Sequence, residues 1–215
     1  MKRLIQLIKW EYLIQNRINN LTKYLIIFFL FCAFSLTLIN DQENLTKFGV
    51  MFSIILLPLA LVSCSHIIFT QDLEDGNLEL LFTNFTEHEI IISKFLTICF
   101  IAISSAMFNM PIIYFFFNIE LETFIHMVIT LILLLILASA LLILIAAIQS
   151  YFRSNANLLS VLIMPLLIPS IVLGGIITQN PNNISLAFCM VGINIVLLPI
   201  ILYLASYLIR NIYNV

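Results

Sequence analysis

Residues 124–148 read FIHMVITLILLLILASALLILIAAI, and no Asp, Glu, Lys or Arg interrupts them. A helix crosses a hydrocarbon core of about 30 Å with about 20 predominantly apolar residues. This stretch is long enough for that passage, and His126, Thr130 and Ser139 are its polar side chains. The rest of the chain has the same character. Of its 215 residues, 62% belong to the apolar set and 9% are charged. A soluble domain covers its surface with about 25% charged residues, so most of this surface must face something other than water. At about 20 residues per crossing the length allows roughly five to seven spans with short loops, and leaves no room for a sizeable extramembrane domain.

Working outward from 124–148, further apolar runs fall at about 21–39, 48–69, 95–117, 157–178 and 186–209. They predict an all-α, polytopic membrane protein with six transmembrane helices, in one domain covering residues 1–215. Ahead of the first run, Leu4, Leu7, Ile8, Ile14 and Ile18 fall roughly on one helical face, with Glu11 and Gln15 interrupting it. Lys2, Arg3, Lys9 and Arg17 lie among them, and Trp10 and Tyr12 suit the headgroup level. The expectation is an interfacial helix lying on the membrane. The first long apolar run starts near Leu21, too late for the core of a cleaved secretory signal, so it reads as a retained span. Six spans place Lys2, Arg3, Lys9, Arg17, Lys23, Lys94, Arg153 and Arg210 on one side and Lys47 on the other. An excess of Lys and Arg marks the cytoplasmic side, which predicts that both termini are cytoplasmic.

Chemistry-bearing constellations are scarce. Cys32, Cys64, Cys99 and Cys189 all lie in apolar runs and form no C-x-x-C pair; they read as small packing residues, with no zinc spacing and no disulfide framework. His66, His88 and His126 sit on different spans or loops without paired spacing, so no metal or haem ligand set emerges. There is no H-E-x-x-H, no G-x-S-x-G and no buried carboxylate pair in the pattern, hence no catalytic residue to name. A P-loop requires G-x-x-x-x-G-K-[ST], and none of the five glycines precedes a lysine. Any ATP hydrolysis must therefore come from a partner subunit.

The longest polar stretch, residues 70–94, reads TQDLEDGNLELLFTNFTEHEIIISK. Asp72, Glu74, Asp75, Glu79, Glu87 and Glu89 fall here, six carboxylates against Lys94, for a net charge of −5. Leu73, Leu78, Leu80, Leu81 and Phe82 keep it amphipathic, and Asp75-Gly76 favours a turn or helix break. An acidic amphipathic element on the cytoplasmic face suits docking into a groove on another protein, since the anionic membrane surface would repel it. A solvated loop kept wet by its acids is the alternative. In the fifth apolar run, Pro165 and Pro169 stand four apart on one helical face. Each removes a backbone donor and tends to kink a helix, giving either a bendable span or a static kink. Gly174-Gly175 beyond them would permit close helix packing or end the span.

Two of these segments carry a family resemblance. Asp72-Leu73-Glu74-Asp75-Gly76-Asn77-Leu78-Glu79 resembles the D-L-x-D-G-x-L-E block of the cytochrome c maturation permeases called CcmB, or haem exporter protein B. Phe69 completes an F-x-x-D-x-x-x-G pattern with Asp72 and Gly76. Residues 158–169, LLSVLIMPLLIP, resemble the family's L-L-S-x-L-x-x-P-L-x-I-P segment. The resemblance covers nearly the whole chain and implies an ABC-2-type permease-like fold. It also implies docking of a partner ABC ATPase at Phe69, Asp72 and Gly76, with Glu74, Asp75 and Glu79 in the same block, and places Pro165 and Pro169 as kink or coupling positions. The implied partners are that ATPase, other cytochrome c maturation membrane proteins, a haem chaperone, membrane lipid and a second copy of the chain, with no nucleic acid. Haem would be handled as cargo rather than held as a resident cofactor, and ATP would be used by the partner. The implied location is the bacterial inner membrane, or the mitochondrial inner membrane if the gene is organellar. Two other readings share much of this logic: an ABC permease for a different substrate, such as a lipid or small toxin, and a non-transporting assembly scaffold.

Overall fold

The computed structural model describes residues 2–39, 42–65, 68–69, 72, 76–152, 164–179 and 184–213. Every element among them is helical: α1 (Lys2–Leu13), a π-helical turn (Ile14–Ile18), α2 (Leu21–Ile39), α3 (Gln42–Ser63), α4 (Asn77–Asn84), α5 (Glu87–Phe117), α6 (Leu121–Phe152), a 3-10 turn (Met164–Leu167), α7 (Ile168–Gln179) and α8 (Ile184–Tyr213).

The stretch read first forms α6, the axis of the bundle. It packs against α3, α5, α7 and α8, and 78% of its apolar stretch is buried, compared with 17% for α8. A helix that is apolar all round belongs in a core or in lipid, and α6 is surrounded by other helices. Its neighbour α5 carries α1 and α2 as well as contacting α3 and α8.

Among the described residues three helical stretches are long and apolar enough to cross a membrane: Glu87–Phe117, Leu121–Tyr151 and Ser185–Asn211. Residues Arg3–Arg17 and Leu21–Ser35 form a pair bent by 47° that meets the same test when taken together. Phe48–Ser63 and Pro165–Gln179 are apolar but shorter. Among the described residues three to four candidate spans are therefore seen where six runs were expected.

Two of the boundaries shift for local reasons. The expected span at 95–117 is part of a helix that starts at Glu87. Thr86 opens it with a capping box: its hydroxyl accepts from the Glu89 N–H at 3.4 Å, and its own N–H donates to Glu89 Oε2 at 3.0 Å. That arrangement satisfies N-terminal donors that a helix otherwise leaves open. Of the expected span at 157–178 the described part begins at Met164, and its two prolines stand near the start of that part. Pro165 lies in the 3-10 turn and Pro169 is the second residue of α7, where a missing N–H costs little. Positions 153–163 lie outside the described residues. Prolines within helices are Pro58, Pro111 and Pro199.

Small residues mark the closest crossings. A Cβ on Gly174 would come within 2.8 Å of Thr130 Cγ2 and 3.4 Å of Ile54, so α7 lies directly on α6 and α3. Gly175 faces open space. Where α3 passes the end of α5, a Cβ on Gly49 would come within 2.3 Å of the Phe117 ring, and Thr46 Oγ1 donates to the Phe117 carbonyl at 2.9 Å.

Candidate functional site

The acidic block and the N-terminal helix meet at Lys94, a lysine with no exposed surface. Its ammonium donates to Glu11 Oε1 and to Asp72 Oδ2, each at 2.5 Å, and to the Ile68 carbonyl at 3.4 Å. An ammonium has three N–H donors, and here each has an acceptor. The Phe69 ring lies 5.1 Å from Nζ, in cation–π range. The two carboxylates are nearly as enclosed, with side-chain exposures of 3% for Glu11 and 8% for Asp72. Glu11 also accepts from Gln15 Nε2 at 3.3 Å, and Gln15 Oε1 accepts from Asn19 Nδ2 at 2.9 Å. The polar chain thus runs from the acidic block through α5 and α1 into the turn before α2.

The N-terminal residues that break the apolar face are the ones that point inward. Leu7, Glu11 and Gln15 are buried at successive helical turns, whereas Ile5 and Trp10 are exposed. Lys94 supplies the reason: a buried ammonium needs carboxylate partners, and removing one partner from such a cluster costs about 3–5 kcal/mol. Tyr12 packs edge-on to Phe100 at 5.8 Å, and Thr97 Oγ1 donates to the Ile8 carbonyl at 3.4 Å, fastening α1 along α5.

Of the residues expected to meet a partner, Phe69 and Asp72 are buried within the chain, at 1% and 6% exposure. The Asp72 carboxylate is engaged by Lys94. Gly76 adopts a left-handed conformation, φ +69°, and heads α4; glycine takes that conformation without the penalty of a side chain. Glu79 is exposed on α4. Beside it Leu80 is 65% exposed and Leu78 is buried, so α4 has an anchored side and an open side. Glu74 and Asp75 lie outside the described residues, as does His66. Pro165 and Pro169 are both exposed.

The remaining histidines stand apart. His88, on the first turn of α5, stacks on Tyr203 of α8 with ring centroids 6.5 Å apart, beside a long Arg210–Glu87 contact of 3.7 Å. His126 lies on α6. Among the described residues no three His, Cys, Asp or Glu side chains group as a metal site. The sequence reading missed Lys94 as a structural centre and Glu11 as its partner. A lysine at the start of an apolar run and a glutamate on an apolar helical face were the available signals.

A bundle of long, nearly charge-free helices, with one short helix bearing Glu79 beside it, defines a polytopic helical membrane protein without a nucleotide-binding motif in its sequence. Residues 2–207 match the CcmB protein family, and the chain belongs to that family. It is 46% identical to an uncharacterized protein of Rickettsia conorii and 44% identical to one of Rickettsia prowazekii, in each case over 215 residues and the full length of both chains.

Proposed function

We propose that this chain is the permease subunit of an ABC transporter complex in cytochrome c biogenesis, with six spans in the inner membrane and both termini cytoplasmic. Membership of the CcmB family across residues 2–207 carries the reading. A separate ATPase subunit binds and hydrolyses ATP. The acidic block is its docking element: Gly76 sets the bend, and Glu79 with Leu80 and Thr83 forms the outward side of α4 that the motor meets. Glu74 and Asp75 add to the acidic character of the block. Phe69 and Asp72 act from beneath, holding the element in place.

Force from the motor passes into α5 and from there to α6, which touches most of the other helices. Pro165 and Pro169 give α7 a turn at its start that can pivot without breaking the hydrogen bonds of the helix interior. The rearrangement serves haem export or the release of a haem-loaded chaperone.

The test uses the tagged chain solubilised from its own membranes. Captured proteins are identified by mass spectrometry, and a gene-deletion strain is stained for covalently bound haem. Capture of an ABC ATPase together with loss of c-type cytochromes is expected. Capture with normal cytochromes would assign the permease to another substrate. Loss of cytochromes without any associated ATP hydrolysis would leave an assembly scaffold.

A further inference from the structure

Lys94 joins three parts of the chain that are far apart in sequence. Glu11 belongs to α1, Asp72 precedes α4, and Lys94 lies in the second turn of α5. All three N–H donors of the ammonium are engaged and the lysine is fully enclosed, so the cluster has one well-satisfied arrangement. Loss of any contact would leave a charge buried without its partner. Four residues after Asp72 the chain turns at Gly76 and enters α4. Lys94 thus holds the chain at a point four residues before the Gly76 that heads α4. The side chains beneath it have the same bias: Ile68, Phe69 and Leu78 are buried, while Leu80 and Glu79 face outward.

We propose that Lys94 is a positioning residue for motor coupling, clamping Asp72 to Glu11 so that α1, α4 and α5 move as one body when the ATPase engages α4. Asp72 then acts through Lys94 and never touches the motor. This rests on the reading of α4 as the ATPase-docking element, and it assigns the role of contact to the open side of α4 and the role of support to the cluster beneath. Glu11, remote in sequence from the acidic block, becomes a determinant of coupling.

Two measurements on the full-length chain test it. The first is carboxylate footprinting with a water-soluble carbodiimide in permeabilised membranes, followed by peptide mass spectrometry. Asp72 and Glu11 are expected to be protected both in the isolated permease and in the ATPase complex. Glu79 should be labelled in the isolated permease and protected in the complex. Labelling of Asp72 in the isolated permease, with protection only on ATPase binding, would overturn the proposal. The second measurement is captured ATP hydrolysis per monodisperse permease in Glu11→Gln, Lys94→Met and the charge-keeping Lys94→Arg. A fall of about tenfold or more is expected in Glu11→Gln and Lys94→Met, the order of a typical coupling between sites, with Lys94→Arg retaining more hydrolysis than Lys94→Met because it keeps the cation. Undiminished hydrolysis in Glu11→Gln at normal permease yield would overturn the clamp even if Lys94→Met fails to accumulate. Absence of any captured ATPase on the unsubstituted chain would refute the docking reading itself, a result distinguishable from either of these.

Discussion

Asn109 lies on α5 with no exposed surface, and neither its amide nitrogen nor its carbonyl oxygen has a hydrogen-bond partner among the described residues. An unsatisfied buried polar group costs about 1–3 kcal/mol. Asn109→Leu is therefore expected to raise the thermal midpoint of the detergent-purified chain; a lower midpoint would mean that the branched side chain overpacks the site. Asn194 on α8 is half satisfied: its Nδ2 donates to the Leu133 carbonyl of α6 at 3.1 Å, while its Oδ1 has no partner among the described residues. Interhelical bonds of this kind average about 0.6 kcal/mol in membrane proteins, so Asn194→Leu should cost little by the same assay. The two asparagines look alike in sequence, each a polar residue in an apolar run. Their difference lies in what the neighbouring helix presents. The same holds for Glu11, which reads as a flaw in an amphipathic face until Lys94 is found beside it.

At the level of single elements, α5 is best explained by its first turn. Thr86-Glu87-His88-Glu89 is the capping-box pattern, and it starts the helix two turns before the apolar run begins. Hydropathy alone places the start at Phe95 because it measures affinity for lipid, not hydrogen bonding at a terminus. Thr86→Ala should destabilise this end by about 1 kcal/mol, read as faster amide exchange at residues 87–91 with the helix centre unchanged. At the other end of α5 the constraint is steric. A Cβ on Gly49 would occupy the space of the buried Phe117 ring, so Gly49→Ala should lower stability by about 1–3 kcal/mol, the usual range for overpacking. Gly49→Ala combined with Phe117→Leu should recover part of that loss. Nothing in the sequence around Gly49 sets it apart from Gly175, which meets open space. The close approach is a property of two helices crossing.

For the whole molecule, α5 is the ruler. Its 31 residues extend about 46 Å at 1.5 Å per residue, so its two ends lie on opposite sides of a bilayer if it crosses. In a background without native cysteines, Glu79→Cys is expected to react with an impermeant maleimide only from the cytoplasm and Glu120→Cys only from outside; labelling of both from one side would defeat the orientation and the six-span topology. What the sequence determined by itself is the solvent and the material: 62% apolar and 9% charged residues require lipid, and lipid requires helices or closed barrels because backbone groups must be satisfied internally. Those are local and additive properties, legible in any window of 20 residues. Tertiary structure alone decided that the most apolar helix is central rather than lipid-facing, that Asp72 and Phe69 face inward, and that Lys94 joins Glu11 across 83 positions. Charges separated that far along the chain become partners only when folding brings their helices together, because the energy of an ion pair depends on distance in space.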